Sequence, residues 1–501
     1  MSKYEAIIGL EIHLQLKTKS KMFCSCANQE GDKPNTNVCP ICLGHPGTLP
    51  TVNQVAVEQG LLMALALDCK INKKSKFDRK NYFYPDLPKG YQISQFDEPI
   101  AEHGKLIIEV EDKRKRIGIT RLHLEEDAAK NMHVGDQTLV DFNRGGAPLA
   151  EIVTEPDFRS PQEAKEFLTQ LRLMARYLGV SDADMEKGQL RCDANISLRP
   201  KSDKKLYPKT EVKNLNSFRS VERALQYEIE RQTELWDKKQ LAKNTETRGW
   251  DEAKQETVLQ RTKEGSSDYR YFPEPDLPPL VISQAMMDEV LAKLVELPTA
   301  KQERFAKEYG LKSKDAKVLV SQKEWAAWYE SVMSELVVWV CQWQKVATES
   351  KEAEKLWQDH KVELARLAYA WITSELFKLL PTGFKLKNLK IKPVQMAEFI
   401  SLIYLKKINS TAGQQILAAM FKSAEHNPAH LADQMNLTQI DDDTTLDGLV
   451  MKVLLMYPQQ AEEYRQGKIA LIKFFVGQVM KESRGKANPQ KIEEILKDKL
   501  S

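Results

Sequence analysis

Residues 8–16 alternate strictly between apolar and polar side chains, and this alternation constrains the fold more than any other feature of the chain. Every second residue of the segment is apolar, whereas Glu11, His13 and Gln15 lie between the apolar positions. Successive side chains of a β-strand point to opposite faces. The pattern therefore predicts a strand with one buried face, and it places Glu11 and His13 together on the other face.

Three further segments, residues 121–125, 190–199 and 211–213, repeat this alternation. Their polar positions carry His, Glu, Asp, Asn and Arg, which are side chains that hold Mg²⁺ and phosphate. Acidic residues also cluster at 125–127 and at Glu151 and Glu155. If these strands are neighbours, Glu11, His13 and the acidic groups form a shared Mg²⁺ site. A polar sheet face in contact with water is the alternative.

The four cysteines Cys24, Cys26, Cys39 and Cys42 form two closely spaced pairs. Two thiolate pairs on short turns are typical of a tetrahedral zinc site, and a closed set of four predicts a structural ion. The alternative is a chance grouping of reduced thiols. The chain has seven cysteines, an odd number that argues against a secreted disulfide framework.

The length and charge of the chain set wider bounds. A chain of 501 residues is expected to form about three domains. Its net charge of +3 gives no strong basic field that would by itself indicate nucleic-acid binding. The longest apolar runs are shorter than the roughly 20 residues that a membrane span needs. We find no charged leader before the first strand, so a cytoplasmic location is expected.

Secondary-structure patterns change near residue 290, after a proline-rich segment at residues 272–279. Before this point we predict strands at 4–16, 106–110, 117–124, 190–199 and 210–213, a charged hairpin turn at 111–116, and helices at 53–67, 161–178 and 221–235. Ser160 and Glu163 are placed to form a capping box at the second helix. After residue 290 the patterns are helical. The predicted helices are 286–295, 301–309, 322–333, 364–380, 393–404, 412–421, 446–456, 459–466, 471–483 and 489–500.

Residues 76–91 mix basic and aromatic side chains, a combination that can hold phosphate and stack bases, although a surface loop is an equal alternative. The chain contains no P-loop sequence, so a nucleotide would be held in another way. It also contains no Ser or Cys motif typical of an amide-hydrolysing nucleophile. If this chain uses ammonia as a substrate, we therefore expect the ammonia to be made outside this chain.

Several long motifs of this chain resemble those of the B subunits of bacterial glutamyl-tRNA(Gln)/aspartyl-tRNA(Asn) amidotransferases. The matching motifs are residues 8–18, 76–95, 123–128, 151–157, 190–200, 211–218 and 267–276, and in the tail residues 476–481 and 485–489. The resemblance covers nearly the whole chain.

The resemblance implies an α+β fold: a cradle-like domain with an antiparallel sheet at residues 1–290, a helical domain at 291–398 and a helical, tRNA-binding tail at 399–501. It implies a carbon–nitrogen ligase that uses ATP to phosphorylate the side-chain carboxylate of Glu-tRNA(Gln) or Asp-tRNA(Asn). Ammonia then replaces the phosphate. The implied partners are an amidase (A) subunit, which makes ammonia from glutamine and delivers it through a channel, a small C subunit that completes a heterotrimer, and the misacylated tRNA.

The resemblance also implies roles for particular residues. The Mg²⁺ ion would be held by Glu11, His13, Glu125 and Glu151. The part of the site that faces ATP and the acyl phosphate would be completed by Asp193, Glu211 and Lys213. Glu126 would serve the mouth of the ammonia channel or deprotonate ammonia, and the sequence does not separate its role from that of Glu125. The nucleotide-binding residues would be Lys80, Tyr82, Lys89, Arg191 and Asn195.

Two other functions are compatible with parts of the sequence. The first is a non-catalytic zinc-ribbon scaffold that binds tRNA, in which the acidic face is only structural. The second is a metallohydrolase acting alone, which the missing nucleophile and base motif disfavours.

Overall fold

The structure is a computed structural model that describes residues 3–29, 31–240, 243–263, 268–422, 427–439, 442–483 and 485–500. Ser267, the first residue of one of the motifs above, lies outside this part of the chain. Two compact units meet at the bond between Pro298 and Thr299, close to the change of pattern expected near residue 290. In the described residues, no helix has the length and apolar character needed to cross a membrane.

The first unit is built on one large sheet. In chain order the strands of this unit are β1 Tyr4–Gln15, β2 Lys70–Ile71, β3 Lys74–Ser75, β4 Asp78–Asn81, β5 Tyr91–Ser94, β6 Ala101–Val110, β7 Lys113–Glu126, β8 Lys130–Val134, β9 Gln137–Asp141, β10 Pro148–Thr154, β11 Leu190–Pro200, β12 Thr210–Leu215, β13 Thr245–Asp251, β14 Glu256–Lys263, β15 Phe272–Pro273 and β16 Leu280–Val281. Strands β3 and β16 form a separate two-stranded sheet, and β8 and β9 form another. The main sheet has the order β14-β13-β12-β11-β1-β10-β7-β5-β4-β15, and β6 joins it beside β7. Strands β12 and β13 run parallel, whereas the site strands β7, β10, β1 and β11 pair antiparallel.

The strands expected from alternation are all present, but the hairpin between β6 and β7 is tighter than predicted. The expected turn at residues 111–116 is reduced to Glu111 and Asp112, whose φ angles are 51° and 60°. Two consecutive left-handed residues form the turn whose twist matches that of the flanking strands. The four basic residues that follow therefore extend β7 instead of forming a loop.

The described helices of the first unit are α1 Gln54–Ala66, α2 Pro161–Leu178, α3 Phe218–Asp237 and α4 Gln284–Ala292. The Ser160 hydroxyl caps α2 by accepting a hydrogen bond from Glu163 N at 3.2 Å, as predicted. The Glu163 carboxylate accepts from Arg159 N at 2.6 Å, one residue before the position expected for a capping box.

The apolar face of β1 lies in the core of this unit. Ile8, Ile12 and Leu14 are fully buried and share one hydrophobic cluster with side chains of α1, α2 and α3. Burial of each such side chain contributes about 2 kcal/mol. Gly60 of α1 approaches β7 so closely that a Cβ atom there would lie 2.7 Å from Leu124 Cδ2. Packing one face of the sheet in this way leaves the polar face of the same strands available for a site.

The second unit is helical, as expected. Its described helices are α5 Pro298–Tyr309, α6 Ser313–Val320, α7 Lys323–Gln344, α8 Lys351–Ala370, α9 Phe377–Leu379, α10 Pro393–Tyr404, α11 Ser410–Lys422, α12 Pro428–Gln434, α13 Asp443–Met456, α14 Pro458–Arg465, α15 Ile472–Glu482 and α16 Pro489–Leu500. A π-helical turn, Trp371–Leu376, joins α8 to α9.

The hydrophobic cores of the second unit divide it at a different position from the predicted boundary at residues 398 and 399. That boundary falls inside α10, where Met396, Phe399 and Ile400 belong to the same core as residues of α7 and α11. The basic segment at 383–392 has the composition of a linker, but its Ile391 is buried in this core. A second core begins only at Leu446 and continues to the end of α16.

Candidate metal and phosphate site

Strand register brings distant parts of the sequence into one row across the polar face of the sheet. His123 on β7 is opposite Glu151 on β10, Glu151 is opposite His13 on β1, and His13 is opposite Arg191 on β11. Directly opposed residues of antiparallel strands have neighbouring side chains on the same face. The four side chains therefore meet although they come from four separate segments of the chain.

Two imidazoles and two carboxylates form the centre of this row. His13 Nε2 lies 3.4 Å from Glu125 Oε1 and 3.5 Å from Glu151 Oε2. His123 Nε2 lies 3.2 Å from Glu151 Oε2. Ser94 Oγ on β5 donates to Glu125 Oε2 at 3.1 Å, which fixes that carboxylate from the neighbouring strand. We call Glu11, His13, His123, Glu125 and Glu151 the His/Glu cluster.

The His/Glu cluster is largely buried, and its charges compensate each other. His123, Glu125 and Glu151 are each no more than 5% exposed. Burial alone lowers the pKa of His123, but the carboxylates of Glu151 and Glu125 outweigh it and raise that pKa to about 9. Burial acts to raise the pKa of Glu151, yet His123 and His13 hold it well below its usual value. Burial and, secondly, the charge of Glu151 raise the pKa of Glu11.

The donor atoms of the His/Glu cluster fit a divalent cation. One ligand atom each from Glu11, His13 and Glu151 lie within 4.8 Å of one another, and the same holds for His123, Glu125 and Glu151. Carboxylate oxygens are the ligands that Mg²⁺ prefers, and imidazole is compatible with it as an additional donor. All four residues that the resemblance implies for Mg²⁺ are brought together here.

His123 belongs to the polar positions of residues 121–125, but the resemblance does not place it among the Mg²⁺ ligands. It lies two residues before Glu125, which is the same spacing that Glu11 and His13 show on β1. That spacing indicates that it shares a face with Glu125, because residues two apart on a strand point to the same side. Its imidazole is closer to Glu151 than that of His13 is.

Asp193, Glu211 and Lys213 lie together on the next strands of the sheet. Asp193 is opposite Glu11, and the Lys213 ammonium pairs with Asp193 and lies 3.2 Å from Glu211 Oε1. The buried Thr247 donates to Glu211 Oε2 at 2.9 Å. Burial opposes the Lys213 charge, but Asp193 and Glu211 raise the pKa of Lys213. An ammonium held between carboxylates beside the His/Glu cluster is suited to phosphate.

Glu125 and Glu126 face different surroundings, which separates two residues that the sequence treats alike. Glu126 pairs with the Lys89 ammonium and accepts a hydrogen bond from Ile93 N at 2.9 Å. Both Glu126 and Lys89 line a cavity of about 220 Å³ that extends to Cys42. Glu125 instead belongs to the His/Glu cluster. Lys89, expected to bind nucleotide, therefore lies in this cavity with its charge paired to Glu126.

The other residues expected to bind nucleotide lie around the cluster. Lys80 Nζ is 5.0 Å from the centre of the Tyr269 ring, and among the described residues it forms no ion pair. Burial opposes its charge, yet Glu125 raises the pKa of Lys80. Burial also raises the pKa of Tyr82. Arg191 is paired with Asp127 at 2.8 Å, and Asn195 is opposite Glu211 on the neighbouring strand.

The four cysteines predicted to bind zinc also come together. Their sulfur atoms all lie within 4.8 Å of one another, which is compatible with four thiolates around one zinc ion. A hydrogen bond from Cys24 lowers the pKa of Cys42 to about 4 although burial opposes this, and the Cys39 N–H adds to the effect at 3.2 Å. Burial and a hydrogen bond with Cys39 raise the pKa of Cys26 to about 11. Binding of a metal ion by these thiols requires them to lose their protons.

Comparisons with known proteins agree over the whole chain. Residues 6–288 match the sequence model of the GatB/GatE catalytic domain, and residues 354–500 match that of the GatB domain. The chain is 44% identical over 507 residues to the B subunit of the aspartyl/glutamyl-tRNA(Asn/Gln) amidotransferase of Carboxydothermus hydrogenoformans, with 100% of both chains covered. It is 45% identical over 499 residues to the protein of the same name from Persephonella marina, with 99% of this chain and 100% of that protein covered.

Proposed function

Because this chain belongs to the GatB family of tRNA-dependent amidotransferase B subunits, we propose that its His/Glu cluster activates the amino-acid carboxylate of a misacylated tRNA. The substrates proposed are Glu-tRNA(Gln), Asp-tRNA(Asn) or both, as the names of the relatives suggest. The reaction class is a carbon–nitrogen ligase that takes its nitrogen from glutamine, and this chain contributes the ATP-dependent part.

The chemistry requires two steps on the same carboxyl group. A carboxylate has no good leaving group, so one of its oxygens first attacks the γ-phosphorus of ATP, which releases ADP and leaves an acyl phosphate. Neutral ammonia then adds to the carbonyl carbon, phosphate departs with the carbon–oxygen bond electrons, and one ammonia proton is lost. Acyl phosphates hydrolyse, so a site that excludes water favours the second step.

The first step brings the negative charges of the substrate carboxylate and of ATP together, and groups in and around the cluster would offset them. Glu11, His13, Glu125 and Glu151, with His123 beside them, would hold Mg²⁺. The ion supplies neutralisation of phosphate charge during transfer. Lys213, positioned by Asp193 and Glu211, would bind a phosphate oxygen. Lys80, Tyr82, Arg191 and Asn195 border the same region and would contact the nucleotide or the acyl phosphate.

The second step needs ammonia that this chain does not make. We assign its production to an amidase (A) subunit and its delivery to a channel, with a small C subunit completing a heterotrimer. The cavity lined by Glu126 and Lys89 is the place where ammonia would enter this chain. Glu126 would serve the mouth of this path or the deprotonation of ammonia.

The remaining parts of the chain would support binding. Structural Zn²⁺ at Cys24, Cys26, Cys39 and Cys42 would hold the loop at residues 24–42 in place. The C-terminal helices would bind tRNA, and the core that begins at Leu446 is a self-contained candidate for this role.

One observation carries the proposal: two imidazoles and three carboxylates lie together, with His123, Glu125 and Glu151 buried and the Lys80 ammonium nearby. The test is Glu125→Gln in the complete complex, assayed with Glu-tRNA(Gln) and with Asp-tRNA(Asn), using glutamine or ammonium chloride as the nitrogen source. We expect amidation to fall with both nitrogen sources while glutamine hydrolysis by the amidase partner persists.

The matched control is Glu155→Gln, which removes an exposed carboxylate just beyond the end of the same sheet region. This control should retain full amidation. Normal amidation by Glu125→Gln would reject the proposal and support the non-catalytic scaffold instead.

A further inference from the structure

A lysine is buried against the four-cysteine cluster, where burial of a charge needs a reason. Lys21 is only 1% exposed and is among the largest fully buried side chains of the chain. Its Nζ atom lies 3.7 Å from Cys42 Sγ and donates to the carbonyl of Phe142 at 3.1 Å. A buried ammonium is costly unless it is paired and hydrogen-bonded. The sulfur cluster is the group available to pair with it.

The backbone around Lys21 is arranged to hold it there. Lys21 N donates to Cys26 O at 3.0 Å, which fixes the residue beside the first cysteine pair. Gly146, at φ +88°, faces the side chain, and a Cβ atom at this glycine would lie 3.3 Å from Lys21 Cδ. Lys19, two residues earlier, is exposed. The chain therefore buries one of two nearby lysines and leaves the other in water.

Zinc bound by four thiolates has a net charge of about −2, and such a charge is poorly tolerated at a partly buried site. An ammonium at one of the sulfurs offsets about half of it. Groups just outside the ligands of a metal commonly set its affinity in this way. The contact with Phe142 O also joins the cluster to the loop that leads into β10, the strand of Glu151.

Resting on the zinc assignment above, we propose that Lys21 is a positioning residue of the zinc site that compensates the charge of the four thiolates. It also lines the cavity that Glu126 and Lys89 line. Its role is to hold the Cys42 sulfur in place and to strengthen zinc binding. The competing explanation is that Lys21 only stabilises the fold through its bond to Phe142 O.

The test measures zinc content and zinc affinity of the full-length chain in its complex, by competition with a chromophoric chelator. Lys21→Met keeps the length of the side chain but removes the charge, and we expect zinc affinity to fall by about 10- to 100-fold. Lys19→Met removes an exposed lysine nearby and should leave the affinity unchanged. Lys21→Arg keeps the charge and should restore most of the affinity.

A second measurement separates charge compensation from simple packing. Lys21→Met is combined with Cys39→Ser, which disables the zinc site, and melting temperatures are compared across the four combinations. We expect Lys21→Met to lower the melting temperature only when all four cysteines are present. Equal lowering in both backgrounds would overturn the proposal, as would unchanged zinc affinity of Lys21→Met. A wild-type chain that contains no zinc would instead refute the zinc assignment itself, and this inference with it.

Discussion

Two clusters of potential metal ligands in the described part of the chain are built in opposite ways. The four cysteines lie within residues 24–42, on two short turns. The His/Glu cluster draws on residues 11–151 and depends on the pairing of β1, β7 and β10. The cysteines are half-buried thiols, whereas the centre of the His/Glu cluster is almost fully buried.

The difference shows how position in the fold relates to role. Soft donor atoms that are close together in the sequence can form a cluster through short turns alone. An ion bound there contributes free energy of folding. A cluster of hard donors assembled by a sheet is held rigid by the whole unit, which suits a site that must orient substrate. We therefore expect loss of the His/Glu cluster to remove activity and loss of the cysteine cluster to remove stability.

The largest effect is expected from Glu151→Gln, because Glu151 belongs to both sets of possible ligands. Amidation by the complex should fall on the order of 100-fold or more, since a fixed charge at the reacting group is lost. Zinc content, measured on the same preparation, should remain near that of the wild type. Loss of zinc together with activity would contradict the separation of the two clusters.

Lys213→Met tests whether Lys213 binds a phosphate group of ATP beside the His/Glu cluster. Loss of a charged hydrogen-bond donor is expected to raise the KM for ATP by about tenfold, while the KM for glutamine remains unchanged. Steady-state kinetics of the complex supply both values. Lys209→Met, which removes an exposed lysine at the start of the same strand, is the control and should leave both values unchanged.

Cys39→Ser tests the expectation that the cysteine cluster contributes stability. Because a closed zinc site contributes folding free energy, the melting temperature should fall by on the order of 5 °C. Amidation per folded complex at a low temperature should change much less. Ser25 is an exposed residue between Cys24 and Cys26 and offers a control. Ser25→Ala should leave the melting temperature unchanged. Loss of zinc without any change in melting temperature would show that the site is not structural.

Gly60→Ala disturbs the packing beneath the His/Glu cluster. The new methyl group would press on Leu124, which lies between His123 and Glu125 on β7. Overpacking of this kind costs about 1–3 kcal/mol of unfolding free energy, measured by denaturant titration. Gly448→Ala, in a helix with open space around the glycine, should instead stabilise by about 1 kcal/mol. Equal effects at the two sites would show that β7 tolerates displacement.

Much of this fold could be predicted because its elements have strong periodic patterns. The alternation around Glu11 and His13 and the 3.6-residue period of α2 are decided by local burial, and the structure contains both elements. The segment at residues 383–392 has the composition of a linker, yet its Ile391 is buried by distant helices. Composition records the residue types of a segment and not what packs over them.

The sequence by itself determined which faces of the strands are polar, which residues share those faces and which cysteines can meet, because these follow from the period of the backbone and from short spacing. Only the tertiary structure decided that His123 joins Glu151, that Glu125 and Glu126 face different surroundings, and that Lys21 is buried against Cys42. Strand order and register are set by packing of the opposite face of the sheet. The residues of the site do not encode that packing themselves.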